Sequence, residues 1–384
     1  MWRHLASNAL TLLIVATFLL GGVILWGQRE YGAAGPLEEQ ICLRVERGST
    51  VSRVSRALEA DGAIRSGMLL RLGMEYTDLT DRLKAGSYLV PAQSSAKEIA
   101  DIITRGGAST CGTEIVYRIG VTRLSNLVRA LDPASNAYVE KAKFDPASEA
   151  PPPEYLAVRE RADTRYRIAI AEGVTSWQIV EGLKQISLLQ GAISAVPAEG
   201  SLAPQSYEVR AGDTRAALLE EMQSRQSAIL AEAWENRAAG LPLASPEEAL
   251  ILASIIEKET GVAEERRQVA SVFVNRLQKG MKLQTDPTVI YGITKGEGVL
   301  GRGLRRSELR AATPYNTYVI DALPPTPIAN PGRASIEAAL NPDSSDYIFF
   351  VADGTGGHAF SVTLAEHNRN VARWRKIEAD RAAD

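Results

Sequence analysis

Residues 9 to 26, ALTLLIVATFLLGGVILW, run without a charge between Arg3 and Arg29. A run of this length approaches the ~20 residues that cross a bilayer, and Trp26 stands where an interfacial aromatic belongs. The pattern predicts a short cytoplasmic tail (1–8), a transmembrane helix (9–28) and a linker (29–40), with the remaining chain exported. The competing reading is a cleaved signal peptide processed within YGAAG, although the apolar run is longer than such peptides usually carry.

A second rhythm follows. ICLRVERGSTVSRVSRALEADG alternates apolar and polar positions, turns at Gly48, and then places Val51, Val54 and Leu58 on one helical face. This strand–Gly–hydroxyl–helix unit recurs around Gly173 and Thr175, around Gly212 and Thr214, and more weakly in IVYRIGVTRLSNLVRAL. In each, the hydroxyl residue is placed to cap the following helix. The first unit continues through GAIRSGMLLRLGM and LKAGSYLVP to SAKEIADIITRGG. That β-α-α-β order is similar to LysM, a small glycan-binding module, and such a subdomain is expected over 41–107. Residues 108–164, including DPASEAPPPEYL, lack clear periodicity and are expected to form an insertion or linker.

Residues 165–384 carry the most regular patterns. ASPEEALILASIIEKETG opens with Ser245 as N-cap, Pro246 at N1 and Glu248 at N3, a capping box, and Gly261 is placed to stop the helix. At 100° per residue Ala249, Leu252, Ala253, Ile256 and Ala263 share one face. Glu259 falls on that face and Glu257 points away from it. The start of this helix is apolar nearly all round, so a buried central rod is expected to deliver Glu259 to a cleft. A second helix, AEERRQVASVFVNRLQKG, turns Val269, Val272, Phe273 and Leu277 inward, and DYIFFVADG with GTGGHAFSVTL predicts a hairpin. Long helices followed by loops and strands predict an α+β fold for this catalytic region and for the chain.

Composition narrows the chemistry. The chain is 45% apolar and 23% charged with a net charge of −3, and no basic arm points to nucleic acid. Three scattered histidines and two cysteines show no metal-ligand spacing, so neither metal nor cofactor is expected. Export would allow Cys42 and Cys111 to persist as a disulfide, the alternative being two buried thiols.

A carboxyl against an apolar wall holds its proton closer to neutral pH, which suits a general acid at a glycosidic oxygen. Glu259 is the candidate; the plain alternative is a solvated Glu, or one paired with Lys258, Arg266 or Arg267. Gln284, Thr285, Asp286 and Tyr291 in LQTDPTVIYG, and Tyr315, Asn316 and Tyr318 in TPYNTY, are candidates for binding sugar hydroxyls or an N-acetyl group. Their plain readings are core packing and, for Asp286, a helix N-cap before Pro287 at N1.

LASIIEKETGVAEERRQVASVFVNRLQKGMKLQTDPTVIYG, with TPYNTY, LPPTPIANPG and FVADGTGGHAFSVTLAEHN, resembles the endolytic murein transglycosylase (MltG, or YceG-like) family. The match is dense from Pro246 to Asn370 and looser through the first module and the apolar N-terminus. It implies a single-pass protein of the inner (cytoplasmic) membrane whose periplasmic domain cuts peptidoglycan glycan strands internally. Peptidoglycan synthases, which make those strands, are candidate partners. The resemblance also implies that the second Glu of EKET, Glu259, is catalytic. One departure is Gln205 in GSLAPQSYEV, where the family commonly carries Asp, so a role for that position does not carry over.

On this reading Glu259 protonates the oxygen between N-acetylmuramic acid and N-acetylglucosamine. Its carboxylate then takes the proton of the muramoyl C6 hydroxyl as a 1,6-anhydro ring closes. A lysozyme-like hydrolase would want a second carboxylate, with Asp286 and Glu257 as candidates. A non-catalytic glycan-binding anchor, working through the LysM-like module, is the alternative from another class.

Overall fold

The computed structural model of the chain describes residues 2–106, 109–161 and 163–383. The expected boundary at 107/108 lies outside the described residues, as do residues 1, 162 and 384. The fold is mixed α+β. Residues 1–116, 126–144 and 149–166 form one compact unit, and 117–125, 145–148 and 167–384 a second.

The first unit opens with α1 (Trp2–Gly32), of which Leu10–Gly32 is long and apolar enough to cross a membrane, as a signal sequence near the N-terminus also is. Strand β1 (Ile41–Val45), helices α2 (Val51–Ala60) and α3 (Gly67–Tyr76), and strand β2 (Gly86–Val90) follow in β-α-α-β order, and then α4 (Ala96–Thr104). β1 and β2 pair antiparallel, from Ile41↔Val90 to Val45↔Gly86. Val54 and Leu58 of α2, Leu70 and Met74 of α3, and Ile99 and Ile103 of α4 recur at helical spacing and are buried together. Each helix starts at a hydroxyl cap: Thr50, Ser66 and Ser95 accept the N–H of Arg53, Leu69 and Glu98. Cys42 of β1 is disulfide-bonded to Cys111, with their Cα atoms 5.9 Å apart.

The stretch read as an insertion or linker contains regular structure: β3 (Thr113–Ile119), β4 (Leu124–Asp132), β5 (Ala137–Phe144) and the short α5 (Pro153–Val158). It also corrects the fourth strand–Gly–helix copy, because its expected helix is the strand β4. Gly48, Gly173 and Gly212 turn with φ of 76°, 76° and 97°. Gly120 does not take that left-handed turn; its N–H donates to the carbonyl of Arg123 at 3.1 Å. β4 then pairs antiparallel with β5, and cross-strand pairing outweighs the helical spacing of its leucines.

β4 and β5 are neighbours in the first unit; most of β6 (Arg165–Ile170) and its neighbour β7 (Ser206–Val209) belong to the second. The second unit adds α6 (Ser176–Gln185) and α7 (Arg215–Glu235), whose caps Thr175 and Thr214 accept the N–H of Gln178 and Ala217. It continues with α8 (Pro246–Glu259), α9 (Arg266–Gln278), α10 (Asp286–Thr294), α11 (Arg306–Arg310) and α12 (Arg333–Leu340). The antiparallel hairpin β8 (Phe349–Ala352) and β9 (His358–Ser361) and then α13 (Leu364–Ala383) complete it.

Helix α8 is the central rod of the second unit. Leu252, Ala253, Ile255 and Ile256 are wholly buried with Val269 and Phe273 of α9 and Ile336, Ala339 and Leu340 of α12. Each fully buried Leu or Ile contributes about 1.5–3 kcal/mol, so packing fixes this helix far more firmly than propensity could. The N-terminal end differs from the expected capping box. Ser245 accepts the N–H of Glu248, but the Glu248 carboxylate reaches past the N-cap to the N–H of Ala244, at 2.7 Å. At the other end Thr260, in extended conformation, is the C-cap, with Gly261 directly after it and no left-handed turn there. Ala263 therefore lies in a separate 3-10 turn, Ala263–Glu265, and is not part of the α8 face.

Candidate active site

Glu259 is the last residue of α8, so the rigidity of the buried rod passes to its carboxyl group. The three charged residues that end the helix reach three different segments. Glu257 accepts the N–H of Gly332 at 2.9 Å, Lys258 Nζ donates to the carbonyl of Gly173 at 3.2 Å, and Glu259 accepts the hydroxyl of Thr285. Lys258 is therefore engaged elsewhere, and Arg267 pairs with Asp343 at 3.0 Å. Glu259 is half-buried. Burial pushes its carboxyl above the usual range; the Thr285 hydroxyl opposes the shift, the charge of Asp286 adds to it, and His358 and Arg276 oppose it. The net direction is upward.

Thr285 corrects the expected start of α10. The helix begins at Asp286 with Pro287 second and Thr285 at the N-cap, one residue earlier than the sequence suggests. The Thr285 side chain makes no capping bond there, because its hydroxyl is committed to Glu259. Its N–H donates to Thr317 Oγ1 at 3.0 Å, and the hydroxyls of Thr317 and Thr288 are 2.9 Å apart. All three threonines are buried. Asp286 is exposed and accepts the Tyr318 hydroxyl at 2.7 Å. Gln284 is exposed and holds a left-handed backbone, φ 49°, uncommon for a residue with a Cβ.

Tyr291 and Tyr315 form a separate aromatic pair with ring centroids 5.1 Å apart. The Tyr291 hydroxyl donates to Glu199 at 3.2 Å, Tyr315 shares a hydrogen bond with Thr326 at 2.8 Å, and Lys295 Nζ lies 5.0 Å from the Tyr315 ring centre. Asn316 departs from the expectation of a sugar contact. It is wholly buried, its amide donates to the carbonyls of Glu308, Leu309 and Ala311, and its oxygen accepts the N–H of Tyr318. It pins the loop and presents no face to a ligand. Gln205 accepts from Arg225 at 3.2 Å. Of the candidates, Glu259, Thr285, Asp286 and Tyr318 are linked by hydrogen bonds or charge, while Tyr291 and Tyr315 gather around Glu199 and Thr326.

Sequence reasoning missed Arg276, Glu265 and His358. Arg276 is buried and donates to the carbonyls of Ile348 and Leu283 at 2.7 and 2.6 Å. Burial lowers its guanidinium from the usual value, while the charges of Tyr318 and Glu259 act to raise it. Both oxygens of Glu265 hold His358: one takes the backbone N–H at 2.9 Å, the other lies 2.8 Å from Nδ1. The available signals were an Arg among apolar residues of VFVNRL and a His directly after the paired glycines of GTGGH.

Residues 43–373 match the model of the YceG-like family. An endolytic murein transglycosylase of Bacillus subtilis (strain 168) is 29% identical over 365 residues, covering 91% of this chain and 89% of that protein. One of Streptococcus pneumoniae serotype 2 is 24% identical over 383 residues, covering 96% of this chain and 65% of that protein. A crystal structure of a yceG-like protein of Listeria monocytogenes is 27% identical and covers 86% of this chain and 99% of that one, with a TM-score of 0.45. A family model that extends from the first strand well into the last helix, and so over most of the chain, places this protein in the YceG-like family.

Proposed function

We propose that the chain is a membrane-anchored lytic transglycosylase, cutting the bond between N-acetylmuramic acid and N-acetylglucosamine inside peptidoglycan strands. Cleavage leaves 1,6-anhydro-N-acetylmuramic acid ends and so terminates strand elongation. The observation that carries the reading is Glu259: a carboxyl biased towards holding its proton, fixed at the end of a buried helix, with a hydroxyl ready for its ionised form. The relatives named endolytic murein transglycosylases supply the substrate class.

Protonated Glu259 donates to the glycosidic oxygen as the bond from muramoyl C1 breaks and the electron pair leaves with that oxygen. Positive charge builds on C1 and the ring oxygen. The Glu259 carboxylate, accepting from Thr285, then removes the proton of the C6 hydroxyl while that oxygen bonds to C1. Glu259 ends protonated again and no water is consumed. Positioned acid–base catalysis of this kind contributes roughly 10²–10⁴-fold. A hydrolase would need a second carboxylate to activate water. Engagement of Asp286 by Tyr318 and of Glu257 by Gly332 favours the single-carboxyl reading.

The further parts of the reading are a transmembrane α1 with a cytoplasmic tail and a periplasmic remainder, and a LysM-like glycan-binding role for the β-α-α-β module. The apolar run of α1 and the antiparallel β1–β2 pair support them. Peptidoglycan synthases are the proposed neighbours. Mass spectrometry of purified glycan strands after incubation distinguishes the alternatives: new anhydro ends for this reading, reducing ends for a hydrolase, unchanged strands for an anchor.

A further inference from the structure

Helix α3 carries three rows of side chains with different surroundings. Gly67, Leu70 and Met74 are buried in the core of the module. Leu69 and Gly73 meet α1: Leu69 lies over Gly27, and the Tyr31 ring covers Gly73 so closely that a Cβ there would have no room. Arg65, just before α3, adds an ion pair to Glu30 at 2.9 Å. The third row is Met68, Leu72 and Tyr76, at i, i+4 and i+8, and it is apolar yet 61%, 50% and 83% exposed. By helical rotation this row lies beside the Leu69–Gly73 row, on its side away from the core.

The contact with α1 sets the height of that exposed row. Gly27 to Tyr31 belong to the last turns of Leu10–Gly32, directly after the exposed Leu25 and Trp26. At about 1.5 Å per residue, Trp26 and Tyr31 are separated along α1 by only ~7.5 Å. That is the depth of the headgroup–acyl boundary, in which an interfacial helix buries its apolar face by ~5–10 Å. Lipid around α1 at this level would also meet the neighbouring row of α3.

We infer that Met68, Leu72 and Tyr76 of α3 rest in the outer interface of the bilayer, making the first module a membrane-docked collar around the end of α1. This rests on the reading of α1 as a retained transmembrane helix. The occupant is the lipid surface because the exposed row borders the Leu69–Gly73 row that packs on the turns of α1 directly after its apolar run. Docking would hold the module against the membrane, where newly made strands emerge, instead of leaving it on a free tether.

Spin labelling of the full chain in phosphatidylcholine–phosphatidylglycerol vesicles tests this. Single nitroxides are placed at Leu72→Cys, at Leu19→Cys within α1, and at Arg53→Cys on the exposed side of α2, and collisions with oxygen and with a water-soluble nickel chelate are measured. The expected result is a high oxygen-to-nickel ratio at 72, approaching that at 19 and well above that at 53. Lipid exposure at 19 with a water-like ratio at 72 overturns the docking and leaves the anchor standing. Low accessibility of 72 to both reagents overturns it in favour of a protein covering α3. Water exposure at 19 overturns anchor and docking together.

Discussion

Thr285 occupies the N-cap of α10 but gives its hydroxyl to Glu259. A capping Thr ordinarily serves its own helix, worth about 1 kcal/mol, so this hydroxyl stabilises an ionised carboxylate at the cost of a cap. Removing it takes away a group that lowers the Glu259 pKa, and removing the Asp286 charge takes away one that raises it. A general acid acts while protonated, so activity falls as pH rises through its pKa. Thr285→Val should therefore move the alkaline limb of kcat/KM to higher pH, and Asp286→Asn should move it lower. Limbs that stay in place in both variants would show that Glu259 does not govern the profile.

Burial of Glu259 also makes stability depend on pH. Its folded-state pKa lies above its unfolded value, so its stabilising contribution is full below the unfolded value and is lost as pH rises through the folded one. Glu259→Gln removes that dependence. The variant should be more stable than wild type at pH 8, by about 1.4 kcal/mol for every tenfold by which folding tightens the carboxyl's hold on its proton. That advantage should vanish near pH 4. Denaturant unfolding at the two pH values measures the difference; an advantage equal at both would exclude a buried ionised carboxylate as its source.

Cys42 and Cys111 are bonded across a sequence separation of 69 residues. Closing a loop of that size in the unfolded chain stabilises by up to about 4 kcal/mol. Denatured, unreduced protein should show no reactive thiol, and reduction should lower the stability of the first unit without altering the chemistry at Glu259. Two freely labelled thiols in the purified, unreduced protein would contradict the bridge.

Asn316→Ala leaves the carbonyls of Glu308, Leu309 and Ala311 without the Asn316 amide and opens a gap at a wholly buried position. The expected loss is about 1–2 kcal/mol, visible as a lower melting temperature, with KM of the folded protein nearly unchanged. Undiminished stability together with a raised KM would make Asn316 a ligand contact after all.

What could be read from the sequence was what depends on neighbours along the chain. Helical spacing placed Glu259 beside Ile256 and Leu252, and Gly-then-hydroxyl pairs marked the caps at Thr50, Thr175 and Thr214. Helix α8 stops ahead of Gly261, but through an extended Thr260 and without a left-handed glycine turn, which local sequence does not dictate. β4 carries leucines at helical spacing, and its partner β5 lies beyond the reach of local periodicity. Glu265 and His358 stand 93 residues apart in the sequence and meet through tertiary packing alone. Thr285 was legible as polar and near the site, but its choice of Glu259 over its own helix depends on where α8 ends.

The central claim is that Glu259 alone carries the proton in a cleavage that consumes no water. Its most direct test is mass spectrometry of purified glycan strands treated with wild type, Glu259→Gln and Glu257→Gln. Wild type should create internal cuts ending in 1,6-anhydro-N-acetylmuramic acid, Glu257→Gln should retain most of that activity, and Glu259→Gln should fold yet lose at least ~10²-fold. Cleavage by Glu259→Gln at the wild-type rate, or wild-type products ending only in reducing sugars, would contradict the account.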